Sequence, residues 1–289
     1  MPRLSSMLLF RFLPCSVEPF NGEGDRRMFS KRLFGRFVLC VVLLLPASAW
    51  SAHPLITDDT GTQGKWKFQL EVNGQYNDDR DAIAGASVKS TGGQAAATLT
   101  YGSINNVDFI LGIPYLWSKV KEDGVTTSDE KGISDTVLEV KWRFFDEEGL
   151  SFALKPGISF PTGDKNKGLG AGKTGYHVFL IVSQEAAPWE FHANAGYSRK
   201  ESSEVVDELK DIWHASLAAT VAVTKNLKIA ANIGIERSPD KSSDNDPAFL
   251  IGGLIYSLNE KFDIDAGVKY GVTSSETDLA LMAGTTYRF

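Results

Sequence analysis

KWKFQLEVNGQY, residues 65–76, alternates residue by residue. Trp66, Phe68, Leu70, Val72, Gly74 and Tyr76 fall on one face; Lys65, Lys67, Gln69, Glu71, Asn73 and Gln75 fall on the other. Successive side chains leave a β-strand on opposite sides, so this period of two reads as a strand. A strand of this length with one apolar and one charged face must place the two faces in different solvents.

The device returns along the chain. In VLEVKWRFF (137–145), Leu138, Val140, Trp142 and Phe144 oppose Glu139, Lys141 and Arg143. In FDIDAGVKYG (262–271), Phe262, Ile264, Ala266, Val268 and Tyr270 oppose Asp263, Asp265 and Lys269. Strands are expected near 65–76, 92–101, 105–117, 134–145, 150–160, 174–185, 189–199, 211–223, 227–237, 247–258, 262–270 and 277–289. The second, sixth and tenth alternate weakly, which leaves their facing open.

The connections carry as much information as the strands. Segments 77–91, 118–133, 161–173, 200–210, 238–246 and 271–276 are mostly long and rich in Asp, Glu, Lys, Ser and Gly. Between them come short turns: GSIN (102–105), DEEG (146–149), AAP (186–188), TKN (224–226) and NEK (259–261). Long and short connections alternate throughout, as they do in an up-and-down barrel with brief periplasmic turns and extended outer loops. The aromatics agree. Trp117, Trp213, Tyr76, Tyr115, Tyr176, Tyr197 and Tyr270 fall toward outer strand ends; Trp66, Trp142, Trp189, Tyr101, Tyr256 and Tyr287 fall toward inner ends. Amphipathic rings settle at the two membrane–water interfaces. The expected fold is all-β, a transmembrane up-and-down antiparallel β-barrel of about 12 strands. No apolar run of about 18 residues follows residue 52, so helical spans are not expected.

The first 52 residues read differently. MFSKRLFGRFVLCVVLLLPASAWSA (28–52) has a basic start at Lys31, Arg32 and Arg36, an apolar run from Phe37 to Leu45, then Pro46 and small residues. This is the pattern of a secretory signal peptide. Cleavage after Ala49 fits the small-x-small rule best, with Ser51 and Ala52 as open alternatives. The unbroken apolar run favours the general secretory route over the twin-arginine route that RRMFSK (26–31) resembles. Residues 1–27 play no part in such a signal, so Met28 is the expected start and 1–27 an upstream extension outside the mature protein. Cys40 follows Leu39 rather than the small residue that a lipoprotein signal needs. Both cysteines, Cys15 and Cys40, precede residue 53, so the mature chain is expected to have no disulfide or thiol chemistry. Removing the leader's seven Lys/Arg and three Asp/Glu from totals of 30 and 36 leaves 23 against 33, a net charge of −10. That balance argues against nucleic acid as a partner.

Four motifs invite a chemical reading. DDTGT (58–62) differs by one letter from the word around the phosphorylated aspartate of cation pumps, but Asp59 stands where the lysine belongs and no βαβ pattern accompanies it. GAGKTG (170–175) imitates part of a phosphate loop without the preceding buried strand and following helix. His177, His192 and His214 lie on successive expected strands, but His177 and His214 sit high and His192 low, which argues against a zinc site. A lipid-hydrolysing barrel needs Ser, His and an orienting polar group together on the lipid face, and no such histidine is found. No catalytic residue, metal site or cofactor is therefore assigned.

The inward-facing polar residues remain. Candidates to line the lumen are Glu71, Glu139, Lys141, Arg143, Glu190, His192, Lys228, Glu236, Asp263, Asp265, Lys269 and Arg288. Such charges either pair with one another and fill the interior or form a conduit of modest selectivity. Residues 53–64 are expected as a periplasmic N-terminal segment leading into the barrel of 65–289, or folding into the lower lumen as a plug through Asp58 and Asp59. A barrel of this size can be open or filled.

LALMAGTTYRF (279–289) ends on Phe289 and resembles the last strand of bacterial outer-membrane barrels, which the assembly machinery reads. HPLITDDTGTQGKWKFQLEVNGQY (53–76) resembles the start of a family of Gram-negative outer-membrane proteins named for a part in the meta-cleavage (MetA-like) pathway of phenol degradation. The matching positions are His53, Pro54, Leu55, Thr57, Asp58, Asp59, Thr60, Gly61, Thr62, Gln63 and Gly64, then Phe68 to Glu71. The resemblance implies a transport role and supplies no catalytic residues. Together these readings lead to a passive outer-membrane channel for small, hydrophobic or aromatic molecules, in contact with outer-membrane lipids and lipopolysaccharide. A lipid-acting barrel enzyme and a plugged structural or adhesion barrel are the alternatives.

Overall fold

A computed structural model describes residues 53–83, 86–200, 209–241, 243 and 245–289. The signal peptide and the upstream extension lie outside the described residues, as do parts of the connections at 200–210 and 238–246.

Among the described residues, thirteen strands form one antiparallel sheet: β1 (Phe68–Ile83), β2 (Ala86–Ile104), β3 (Val107–Glu122), β4 (Val125–Ile133), β5 (Thr136–Glu147), β6 (Leu150–Phe160), β7 (Gly175–Ala186), β8 (Trp189–Lys200), β9 (Asp211–Ala222), β10 (Leu227–Glu236), β11 (Ala248–Asn259), β12 (Phe262–Gly271) and β13 (Leu279–Arg288). Twelve of them close into a barrel. β1 pairs with β13 from Gln69↔Arg288 to Asp78↔Leu279, and every other neighbour in the ring follows in chain order apart from a step over β4.

The extra strand corrects the expectation of open loops at 77–91 and 118–133. β1 and β2 stay paired out to Ile83↔Ala86, beyond the end of the β1–β13 ladder. β3 pairs with β5 only from Val107 to Gly112, then with β4 from Tyr115 to Glu122. The outer parts of β1 to β4 thus form a flap that continues above the ring. Its β3–β4 turn is Asp123–Gly124, with φ of 47° and 85°. Two left-handed residues match the twist of a two-residue hairpin, and Asp-Gly supplies them at little steric cost. The connection 161–173, one of the long polar loops, is pinned at both ends: the Asp135 carboxylate accepts from the Gly163 N–H at 3.0 Å and the Ala171 N–H at 2.8 Å.

Burial runs opposite to that of a water-soluble protein. Leu70, Val72, Leu217, Leu254, Leu281 and many like them are exposed on the outer face, whereas Gln69, Thr100, Lys141, Asn232, Asp263 and Thr286 are buried. Only a solvent that is itself apolar makes this favourable, and a closed barrel leaves no unpaired strand edge in that solvent. Tyr76, Tyr176, Tyr197, Tyr270 and Trp213 stand exposed toward the outer rim; Trp142, Trp189, Tyr256 and Tyr287 do so toward the inner rim. Trp66 belongs to the turn before β1, at φ 68°, so the first strand starts at Phe68 rather than Lys65. Phe289 closes the inner girdle, its ring 5.5 Å from those of both Phe68 and Tyr287. Where Ala195 and Ala215 stand between Leu180 and Ile235, the outer surface is dished, leaving an apolar hollow of about 730 Å³ that faces the bilayer rather than the lumen.

Candidate functional site

Residues 53–64 lie within the barrel, and their polar groups are met by side chains from seven strands. At the start, His53 Nδ1 is 2.6 Å from the Asp265 carboxylate of β12. On β10, Asn232 accepts from the backbone N–H groups of Ile56 and Thr57 at 2.7 and 3.1 Å and donates to Thr57 Oγ1 at 2.6 Å. The Asn194 carboxamide of β8, oriented to satisfy both groups, brackets Asp58: its nitrogen is 2.9 Å from the carbonyl and its oxygen 2.7 Å from the N–H. The Thr60 N–H donates to Ser183 of β7 at 3.1 Å, and its hydroxyl is 2.5 Å from that of Ser151 on β6. Finally, the Gln63 N–H donates to Asp108 of β3 at 2.9 Å, and Thr62 donates to the Asn105 carbonyl at the inner β2–β3 turn. A terminal segment is ordered only where it is tied down. This one is tied at nearly every residue.

Its ionic centre is Asp58. One carboxylate oxygen lies 2.8 Å from Lys141 Nζ of β5 and the other 2.8 Å from Lys155 Nζ of β6. Lys141 also donates to the Asp59 carbonyl at 3.0 Å, and Lys155 reaches Glu139 at 3.5 Å. Burial alone would raise the Asp58 pKa, but the two ammonium groups outweigh it and hold the carboxyl well below the ordinary carboxylate range. Asp59 shifts the other way. Burial raises it, the attraction of Lys141 opposes, and the neighbouring Asp58 charge adds to the rise.

The segment's apolar residues have a seat as well. Leu55 packs on Ala230 and Ile255, next to a second inward cluster of Phe249, Ile251 and Met282. Pro54 lies over Gly253 and Gly267, where an added Cβ would run into its ring. This is a close approach that only glycine permits. The inner face of β11 is therefore apolar, although it does not face lipid.

The twelve lumen candidates divide by what they touch. Lys141 and Asp265 hold the segment directly. Glu139 acts through Lys155 and also bonds His177 at 2.8 Å, while His192 bonds Ser183, the partner of Thr60, at 2.9 Å. Others pair among wall residues: Glu190 with Lys228 at 2.9 Å, Asp263 with Arg288 at 2.6 Å, Lys269 with Glu276 at 2.8 Å and Arg143 with Asp146 at 3.2 Å. Glu71 is half-buried on the inner face of β1, and Glu236 is exposed at the outer end of β10, 3.4 Å from His214. The three barrel histidines do not converge: Phe179 stands between His177 and His214, with ring centroids at 5.9 and 5.7 Å. Sequence reasoning missed Lys155, Asp108, Asn194, Ser183 and Asn232, which together carry much of the segment's anchoring.

Nearer the outer rim, two aromatic rings lie on the inner wall. Phe179 covers Gly196 and Phe249 covers Gly234, each occupying the space a Cβ would take. Lys155 Nζ is 5.6 Å from the Phe179 ring and Lys269 Nζ 5.7 Å from the Phe249 ring.

The family model described as "Putative MetA-pathway of phenol degradation" matches residues 57–289. The chain belongs to this family. Among solved structures, an outer membrane channel from Pseudomonas putida F1 is similar in fold, with a TM-score of 0.63 and 11% identity over 80% of this chain and 98% of that one. The NanC porin is similar at a TM-score of 0.51 and 10% identity, over 75% of this chain and 98% of that one. Comparison with curated protein sequences finds no match.

Proposed function

We propose that the protein is an outer-membrane channel for passive passage of small molecules, gated by residues 53–64 acting as a plug. The observation that carries this reading is how the segment is held. It crosses a closed polar lumen on hydrogen bonds and ion pairs, with only Pro54 and Leu55 in apolar seats. Polar contacts can be exchanged for water at modest net cost, about 1 kcal/mol each, so such a plug can leave where an apolar core could not. The likeness to an outer membrane channel supports the same reading. Phe179 and Phe249, each beside an ammonium group, favour small aromatic or amphipathic solutes in the outer half of the lumen. Diffusion of this kind needs no cofactor. The chain would reach the membrane by way of its signal peptide, be handed in by the assembly machinery through Phe289, and sit among outer-membrane lipids and lipopolysaccharide.

The test is planar-bilayer recording and proteoliposome flux with the full mature chain and with residues 53–64 deleted. The expected result is brief, rare openings for the full chain, a steady open level for the deletion, and faster flux of phenol-sized solutes than of sugars. Correctly folded protein with no conductance in either form would overturn the channel and leave a structural or adhesion barrel.

A further inference from the structure

The inner end of the segment leaves one cavity that neither anchoring nor passage explains. It has a volume of about 30 Å³ and is lined by Asp59, Gly61, Gln63, Gln69, Thr100, Asp108, Ile110 and Lys141. That exceeds the roughly 10–15 Å³ that a single water or small ion needs. Two carboxylates open onto it, one from the segment and one from β3, and each residue is 1% exposed. Each has one oxygen already used: Asp59 Oδ1 accepts from the Gly61 N–H at 2.6 Å, and Asp108 Oδ2 from the Gln63 N–H at 2.9 Å. The other two oxygens, Asp59 Oδ2 and Asp108 Oδ1, have no hydrogen-bond partner in the protein. Buried carboxylate oxygens are costly without a partner, and here the two residues that carry them line the same small space.

The wall offers one cation, Lys141, and it is already engaged. Its ammonium group bonds Asp58 at 2.8 Å and the Asp59 carbonyl at 3.0 Å, and stands 4.0 Å from Asp59 Oδ1. Asp58 takes a share of that charge, and neither Asp59 Oδ2 nor Asp108 Oδ1 receives a hydrogen bond from it. We propose that this cavity is a divalent-cation site, suited to Ca²⁺, in which Asp59 and Asp108 are the charged ligands and the ion fastens the plug to β3. The donors are hard oxygens, with the amides of Gln63 and Gln69 and the Thr100 hydroxyl completing the lining. The lining contains no His or Cys, so the set does not resemble a soft transition-metal site. Calcium tolerates an irregular shell of carboxylate, amide and hydroxyl oxygens, whereas magnesium demands a regular octahedron.

The test is calorimetric titration of CaCl₂ into the mature chain refolded in detergent without lipopolysaccharide and stripped with EDTA. The expected result is one Ca²⁺ per chain, weakened about tenfold or more by Asp108→Asn and by Asp59→Asn, and unchanged by Asp129→Asn, an exposed carboxylate paired with Lys119. Mg²⁺ is expected to bind more weakly than Ca²⁺. Heat-modifiable migration checks that each variant is folded. Asp59→Asn lies outside every strand and keeps the test intact should Asp108→Asn fail to close the barrel. Absence of saturable one-to-one binding by the wild type, binding by both Asn variants equal to wild type, or tighter binding of Mg²⁺ would overturn the proposal. The calcium assignment builds on the plug reading, but the titration needs no bilayer, so its failure and a failure of conductance are told apart.

Discussion

Replacing Asp58 by Asn should release the plug, and the size of the effect follows from the contacts. The wild-type carboxylate sits between two ammonium groups at 2.8 Å each, on side chains only 8% and 16% exposed. Asn keeps the shape and removes the charge, which leaves Lys141 and Lys155 short of a counter-ion in the lumen. Removing one partner of a buried ion pair costs about 3–5 kcal/mol. The low end applies here, because Lys155 retains Glu139 at 3.5 Å and Lys141 retains the Asp59 carbonyl. At about 1.4 kcal/mol per tenfold, a loss of roughly 3 kcal/mol shifts the released-to-seated ratio by about a hundredfold. A single introduced cysteine reports the ratio, since residues 53–289 contain none of their own. Thr60→Cys is suitable because Thr60 is 2% exposed when seated. Its labelling by a bulky maleimide in detergent should proceed about a hundredfold faster in the Asp58→Asn background. The exposed Thr127→Cys variant corrects for intrinsic reactivity. Labelling within twofold of the parent, with the barrel intact, would refute the ionic anchor.

Three further outcomes follow from the same geometry. Gly267→Ala places a methyl group 2.7 Å from Pro54 Cβ, so the first turn of the segment should lift off β11 and β12, and spin-label mobility at residue 53 should rise while the barrel's thermal transition stays put. Asn232→Ala strands the Ile56 and Thr57 N–H groups, at about 1–3 kcal/mol for each group left buried; labelling of the Thr60→Cys variant should quicken about tenfold or more, and an unchanged rate would show that the segment does not depend on this wall residue. The third concerns pH. Asp59 has a raised pKa when seated, so the seated plug binds its proton more tightly than the released one, and this contribution is present at low pH and lost as pH rises through the raised value. The depressed pKa of Asp58 puts its own loss far to the acid side. With EDTA present, the corrected labelling rate should fall or hold between pH 7 and about 5, and in separate titrations Ca²⁺ affinity should fall as protons compete for Asp59; faster labelling on acidification without the ion would contradict the sign.

The barrel was legible because its outer face meets one uniform solvent. In β5 each outward position is apolar and each inward one from Glu139 to Arg143 is charged, so the period of two survives intact. β11 hid its facing for a physical reason: Phe249, Ile251 and Ile255 point inward, Ile255 onto the seat of Leu55, so both faces are apolar and no alternation is left. β6 hid Lys155 because Pro156 and Gly157 follow it and blur the pattern. The flap was hidden differently. Its strands project past the membrane band, where both faces of β4 are largely exposed and polar, and only the Asp123–Gly124 turn announced a hairpin.

The plug's partners were not legible, and their separation in sequence explains why. Thr57 meets Asn232 across 175 positions and His53 meets Asp265 across 212, distances over which one sequence carries no pairing signal. What local reading could find was the segment's own chemistry: a run of Thr, Asp, Gly and Gln with no apolar period. Such a run offers backbone and side-chain donors in every direction but little surface to bury. Outside a barrel it has no reason to order. Inside one, each donor finds a fixed acceptor on a wall that the membrane already holds rigid, so the entropy of ordering falls on the segment alone. A plug built this way can be released without unfolding any strand, because none of its bonds belongs to the ladder that closes the barrel.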